Sequence, residues 1–157
     1  MITFNPFRAI RPRQEYAQDV ASRPYDVLDS KEAKNEAAGI PNSFLRVIKP
    51  EIDLPDNVSP YSDEVYQQGK KTFLDMQDKG VMIKESSPSF YVYRLTMGGR
   101  SQTGLVGCCH FEEYFEGKIK KHELTRTAKE NDRVKHVETL EANAEPVFFS
   151  YRGQQQI

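Results

Sequence analysis

The sequence predicts an α+β protein with a mixed, mainly antiparallel sheet that has a central hairpin and is covered by two or three helices. Three observations predict this class. Two stretches, at about 62–79 and 128–143, carry apolar residues at helical spacing. Two aromatic and β-branched stretches flank Gly98-Gly99, as in a β-hairpin. Helices and strands mix without strict alternation, and the length fits one domain over residues 1–157.

The N-terminal part predicts an extended segment, a break and a short helix. Two prolines keep residues 4–13 extended, and Arg23-Pro24 marks a break because a residue before proline avoids the helical region. Asp29 and Glu32 have the spacing of a capping box, with Asp in place of Ser or Thr. A helix at about 30–38 follows.

The middle of the chain predicts a strand and then a long helix. "SFLRVIKP", residues 43–50, has the apolar composition of a strand that ends at its proline. In the helix at about 62–79, Val65, Phe73 and Met76 lie near one face, and Gly80 is a typical C-terminal residue.

The hairpin consists of "SFYVYRLTM", the turn "GGRS" and "QTGLVGCCHFEEY". Gly104 and Gly107 interrupt the second strand, which indicates either a bulge or the close approach of another backbone or a ligand. The last elements are the helix at about 128–143 and a final strand in "PVFFSY", residues 146–151.

"KIKKHELTRTAKENDR", residues 118–133, is a charged run that leads into the last helix. "TAKE", Thr127 to Glu130, has the pattern of a capping box. The helical row that contains Val137 and Leu140 continues back to Arg133 and Glu130, so the predicted buried face becomes charged near the helix start.

Two interpretations of this charged row remain open. In the first, Glu130 and Arg133 form an ion pair at the rim of the core. In the second, the positive end of the helix opens into a cleft that binds an anion. Phosphate or ligand contacts would then come from the side chains and first-turn N–H groups at the helix start, namely Thr125, Arg126, Thr127 and Arg133.

Three residues are candidates for proton transfer. His122 and Glu123 precede the helix and would form an acid/base pair. Asp26, in "RPYDV", would supply a carboxylate to the cleft, although a turn-forming Asp is the plainer interpretation. "HELTR" is not a zinc-protease motif because residue 126 is Arg, and no metal site is predicted.

Composition restricts the partners. A net charge of −1 argues against nucleic acid as the partner, and no apolar run approaches the ~20 residues of a membrane helix. Cys108 and Cys109 are adjacent and are expected to be reduced, which favours a cytoplasmic protein.

Several segments together resemble a known family. "NPFRAIRP", "PYDVLDSKEA", "NSFLRVIKPE", "SFYVYRL", "TGLVGCCHFEEYFEGKIKKHELT" and "KENDR" occur in an order that resembles the N-terminal part of the bacterial domain-of-unknown-function family ten-fifteen. The most specific elements are the PYDV stretch at residues 24–27, the HExT stretch at residues 122–125, and Asp132-Arg133.

The resemblance implies a bacterial protein that is distantly ParB-like and handles a nucleotide or phosphate, as part of a small-molecule phosphotransferase. The family's later Asp-Gly-His-His-Arg stretch does not occur here, so the resemblance implies either the N-terminal portion of a longer protein, which is the expectation, or a naturally short member. A nucleotide is the implied cofactor class. The alternative function is a non-catalytic interaction or scaffold domain that uses the aromatic hairpin edge, with a homodimer or a missing C-terminal half as its partner.

Overall fold

A computed structural model describes residues 2–120 and 125–151, and the fold is α+β, as predicted. The helices are α1 (Ala17–Val20), α2 (Ser30–Glu36), α3 (Leu45–Ile48), α4 (Asp63–Asp78), α5 (Glu112–Phe115) and α6 (Thr127–Leu140). The strands are β1 (Phe4–Asn5), β2 (Ile10–Pro12), β3 (Met82–Lys84), β4 (Tyr91–Met97), β5 (Arg100–Val106) and β6 (Cys108–Cys109). None of these helices is long and apolar enough to cross a membrane.

The strands do not form one mixed sheet. Within the described ranges they form three separate two-stranded antiparallel ladders, β1 with β6, β2 with β3, and β4 with β5. The predicted hairpin is confirmed, although its second strand ends at Val106, and Glu112–Phe115 form α5 instead of continuing the strand. Both turn glycines have positive φ, 56° at Gly98 and 77° at Gly99. A two-residue hairpin turn of the common type requires positive φ at both of its central residues.

Gly104 and Gly107, which interrupt the predicted second strand, have different surroundings. At Gly107, an added Cβ would lie 2.7 Å from the ring of Phe4 and 3.0 Å from the carbonyl oxygen of Asn5. Close approach of another backbone therefore accounts for Gly107. At Gly104, the nearest atom to such a Cβ is the Tyr93 carbonyl oxygen at 4.0 Å, so the space over this residue is open.

The capping box before α2 is confirmed. The Glu32 N–H donates to Asp29 Oδ1 over 2.8 Å, and the Asp29 N–H donates to Glu32 Oε2 over 2.9 Å. These two bonds satisfy N–H groups that the first helical turn leaves without partners, which fixes the start of the helix at Ser30.

The predicted strand at 43–50 is wrong. Residues 45–48 form the short helix α3, and a 3-10 turn at Pro50–Asp53 follows it. Leu45, Val47 and Ile48 are all buried. A short continuous apolar run buries every face in either conformation, so its periodicity does not distinguish a strand from a helix.

The core packs around α4, α6 and the segment formed by α3 and the 3-10 turn Pro50–Asp53, which we call the α3 region. One cluster joins Phe73 and Met76 of α4 to Val47 and Leu140, and a second cluster joins α2 to Leu45 and Ile48. Gly69 lets α4 approach the α3 region, because its Cα faces the ring of Pro50 and the carbonyl of Val47. The helix α4 also packs against α6, and the two helices meet at the site described below.

The predicted strand at 146–151 does not form. Val147, Phe148, Phe149 and Tyr151 are exposed, and residues 146–151 make no backbone hydrogen bond to any other described residue. A strand needs a neighbouring strand to pair its backbone groups, which this segment lacks within the described part of the chain.

Candidate functional site

The start of α6 differs from the predicted capping box. Arg126, not Thr127, precedes the first helical residue, and its carbonyl accepts the N–H groups of Lys129 and Glu130. The side chain of Arg126 makes no capping hydrogen bond. Thr125, Arg126 and Thr127 are exposed.

Arg133 is half-buried and is held by two carboxylates. Its Nη2 and Nε lie 2.8 Å and 3.2 Å from Asp132 Oδ2, and its Nη1 lies 3.1 Å from Glu145 Oε2. The guanidinium also lies over the ring of Tyr25, 4.0 Å from the ring centroid. Burial lowers the pKa of Arg133, but the attraction of Asp132 and Glu145 outweighs it and raises the pKa overall.

The first interpretation of the charged row, a pair between Glu130 and Arg133, is wrong. Arg133 pairs with Asp132 and Glu145, while Glu130 is exposed and makes no ion pair with another described residue. The buried face of α6 is also displaced from the predicted row. His136 and Leu140 are buried on it, whereas Val137 is exposed.

Tyr66 of α4 contacts the other oxygen of Asp132. Its hydroxyl donates to Asp132 Oδ1 over 2.6 Å. Burial raises the pKa of Tyr66, and its hydrogen bond to Asp132 raises it further. Because both oxygens of Asp132 have donors, this carboxylate joins α4 to Arg133.

His136 lies one helical turn after Asp132 and is buried. Its Nε2 lies 3.0 Å from the carbonyl oxygen of Val47, so Nε2 carries the proton and donates it. Burial lowers the pKa of His136, which keeps the ring neutral near pH 7. The residues at 132, 136 and 140 are spaced by four, and this spacing was the sequence signal that would have identified His136.

Tyr66, Asp132, Arg133 and His136 form a polar cluster, and Glu145, which follows α6, contacts this cluster through Arg133. Burial raises the pKa of its carboxyl group, and the attraction of Arg133 opposes this rise only in part. Asp26 is exposed in the 3-10 turn Tyr25–Val27, and its negative charge contributes to the raised pKa of Glu145. Asp26 therefore lies near the polar cluster but makes no hydrogen bond to its described side chains.

Two adjacent cavities, of about 140 Å³ and 280 Å³, share Tyr25, Arg133 and His136 in their walls. The smaller cavity is bordered by Ser30, Lys49, Glu51, Tyr61, Tyr66, Lys129 and Asp132, together with apolar residues. The larger cavity extends along Val137, Asn143, Ala144, Glu145 and Val147. We refer to the smaller cavity as the tyrosine–lysine cleft.

The predicted site residues divide into three groups. Arg133 borders both cavities, and Asp26 lies near it. Thr125, Arg126 and Thr127 do not line either cavity, although Lys129, in the first turn of the same helix, does. His122 and Glu123 lie outside the described residues.

Sequence reasoning missed Tyr66, His136, Glu145 and the two lysines of the cleft. Across residues 2–120 and 125–151, no group of three or more His, Cys, Asp or Glu side chains is arranged to hold a metal ion.

Comparison with known proteins gives one family. The model of the family described as "Protein of unknown function (DUF1015)" matches residues 4–157. No curated protein and no solved structure shows a significant match to the chain.

Proposed function

Because the chain belongs to the DUF1015 family, whose description assigns no activity, we propose its function from the chemistry of the cleft. The proposal is that the tyrosine–lysine cleft binds a phosphate-bearing small molecule, with a nucleotide as the first class to test. One observation carries it. A single concave site combines three cationic side chains with three tyrosine rings, namely Lys49, Lys129, Arg133, Tyr25, Tyr61 and Tyr66.

The charge of the cleft lining supports an anionic ligand. The lining holds three cations against the two carboxylates of Glu51 and Asp132, and His136 is neutral. Lys49 already pairs with Glu51 over 3.1 Å, whereas the ammonium group of Lys129 makes no ion pair with a described residue. Lys129 is therefore the cation most available to a phosphate group.

The aromatic lining supports a ligand with a flat ring. Tyr61 is exposed at the cleft, and Tyr25 is half-buried with one face already covered by Arg133. Exposed tyrosine rings can stack on a nucleobase while cations hold the phosphates. We therefore place a nucleotide ahead of inorganic phosphate as the expected ligand.

Glu145 would compete with the ligand for Arg133. Its carboxylate occupies Nη1 of Arg133, so a phosphate that reaches this guanidinium must displace it. Removing the charge of Glu145 should therefore strengthen binding. Thr125, Arg126 and Thr127 do not line the cleft, so the phosphate contacts proposed for them require a ligand that extends from the cleft to the start of α6. Proton transfer by His122, Glu123 and Asp26 in a phosphotransferase reaction also belongs to this proposal.

Isothermal titration calorimetry with ATP, ADP and inorganic phosphate tests the proposal. Lys129→Ala should weaken nucleotide binding about tenfold, because a hydrogen bond to a charged group contributes ~1.5 kcal/mol or more. Glu145→Gln should strengthen it. Lys71→Ala, an exposed lysine of α4 outside the cleft, is the matched control and should leave binding unchanged.

Absence of binding by the wild type to all three ligands would refute the proposal. Equal losses in Lys129→Ala and Lys71→Ala would indicate nonspecific attraction to positive charge instead of a site.

A further inference from the structure

The hairpin β4–β5 exposes an apolar face and two free edges. Side chains alternate across a strand, so Tyr93, Leu95 and Met97 share one face, and all three are exposed. Within the described ranges, β4 and β5 pair only with each other. An isolated two-stranded hairpin is marginally stable in water, whereas a third strand adds both backbone pairing and apolar contact.

Residues 147–151 have the complementary properties. Val147, Phe149 and Tyr151 alternate with Phe148 and Ser150, so an extended segment would place three apolar side chains on one face. Phe148, Phe149 and Tyr151 are 76%, 51% and 82% exposed. This segment has the composition of a strand and lacks a partner strand among the described residues.

We propose that residues 147–151 of a second copy of this chain add to the free edge of β5 as an antiparallel strand, which makes a two-fold symmetric dimer. This inference concerns a surface other than the cleft and does not depend on ligand binding. A two-fold operation that places one segment on the partner hairpin also places the partner segment on the first hairpin, so both strand additions form together.

One register matches the side chains at four of the five pairs, and Tyr151 with Gln102 is the exception. With Phe149 opposite Gly104, the aromatic ring covers the open space over the glycine and lies beside Tyr93, its partner across the hairpin. The other pairs on the same face are Val147 with Val106 and Tyr151 with Gln102. The opposite face pairs Phe148 with Leu105 and Ser150 with Thr103, an apolar pair and a hydroxyl pair of the kinds that stabilise neighbouring strands.

The edge of β4 fits less well. The register that keeps Val147, Phe149 and Tyr151 on the apolar face, with Phe149 opposite Tyr93, sets Phe148 against Arg94 and Ser150 against Val92. Neither pair matches apolar with apolar or polar with polar, although the three pairs on the apolar face do, namely Val147 with Leu95, Phe149 with Tyr93 and Tyr151 with Tyr91. The choice of β5 therefore follows from the opposite face, where both of its pairs match.

The exposed area sets an upper limit on the dimer interface. With about 200 Å² for each aromatic side chain, the exposed fractions of Phe148, Phe149 and Tyr151 amount to roughly 400 Å². Two-fold symmetry doubles this area and the hairpin surface that it covers contributes a similar amount, so complete burial would give an interface of the standard specific size of ~1,600 Å².

A charge-pair rescue tests both the dimer and its register. Leu105→Lys and Phe148→Glu each replace an exposed side chain, 61% and 76% exposed, so neither disturbs the core of the monomer. Each single variant should raise the dimer dissociation constant at least tenfold in analytical ultracentrifugation. The double variant should recover most of the affinity, because the new lysine and glutamate are then opposite each other.

Phe115→Glu is the matched control, because Phe115 is 77% exposed on α5 and belongs to neither segment. This variant should dimerise like the wild type. A wild type that remains monomeric over the whole concentration range would overturn the proposal. So would a dimer that survives either single change, a Phe115→Glu variant as weak as Phe148→Glu, or a double variant without recovery.

Discussion

Replacing Gly69 with alanine sets helix propensity against packing at the crossing of α4 and the α3 region. In an exposed position of a helix interior, the change from glycine to alanine stabilises by about 1 kcal/mol. At Gly69, however, the new Cβ would lie 2.7 Å from Pro50 Cγ and 3.0 Å from the Val47 carbonyl oxygen. Neither neighbour can move freely, since one belongs to a proline ring and the other to the backbone.

The clash should outweigh the propensity. Overpacking of a close-packed core typically costs 1–3 kcal/mol, about as much as or more than the gain in helix propensity. The Val47 carbonyl also accepts the hydrogen bond of His136, so displacing it weakens a bond whose net contribution is ~1 kcal/mol. We therefore expect Gly69→Ala to lower the free energy of unfolding by about 1–2 kcal/mol.

Urea denaturation monitored by circular dichroism measures this change. Lys71 is exposed in the same helix, so the difference between Lys71→Ala and Lys71→Gly calibrates the propensity term. Alanine should be the more stabilising residue at position 71 and glycine at position 69. A Gly69→Ala variant more stable than the wild type would refute the argument, since it would show that the helices can separate without loss.

Two further predictions concern the polar cluster. Tyr66→Phe removes the donor to Asp132 Oδ1 and should lower the free energy of unfolding by about 1.5–3 kcal/mol, because the acceptor is a charged carboxylate with little access to water. Tyr61 borders the same cleft but is exposed, so Tyr61→Phe should change the free energy of unfolding by less than about 0.5 kcal/mol. Equal effects of Tyr66→Phe and Tyr61→Phe would contradict the role of the hydrogen bond to Asp132. Lowering the pH should destabilise the wild type more than His136→Gln. The unfolded chain binds a proton on His136 near pH 6.5, whereas burial lowers the pKa of His136 in the folded chain, which binds this proton only at lower pH. The stability from the neutral ring is therefore present above about pH 6.5 and is lost as the pH falls through the lowered pKa. Urea denaturation between pH 7.5 and 5.5 measures the free energy of unfolding of both proteins. If this free energy falls equally with pH in the wild type and in His136→Gln, the prediction is disproved.

Local sequence signals predicted the elements whose structure depends on nearby residues. The capping box of Asp29 and Glu32 fixes the start of α2 through two hydrogen bonds within four residues. The glycine pair at 98–99 fixes the hairpin turn, because few other residues adopt two consecutive positive φ angles. Neither signal needs a distant partner, so both could be identified in the sequence.

The candidate site was only partly predictable. Arg133 was identified from the charged row, but its partners, Glu145 and Tyr25, come from segments that the fold brings to α6. Tyr66 could not be assigned from its sequence neighbours, because its contact with Asp132 joins residues 66 positions apart. His136 had a helical signal, yet the predicted buried row ran through Val137 and Leu140, whereas the buried side chains are His136 and Leu140.

By itself, the sequence determined the α+β class, the capped start of α2, the long helix α4 and the position of the hairpin, because hydrophobic period, caps and turn glycines act within a few residues. Only the tertiary structure decided that "FLRVI" is helical, that "PVFFSY" has no partner strand within the described residues, and that Tyr25, Tyr66 and Arg133 border one cleft. These outcomes depend on which distant groups satisfy the backbone and pair the buried charges. Such contacts are set by the packing of α4 against α6 and against the α3 region, where Gly69 permits a close approach.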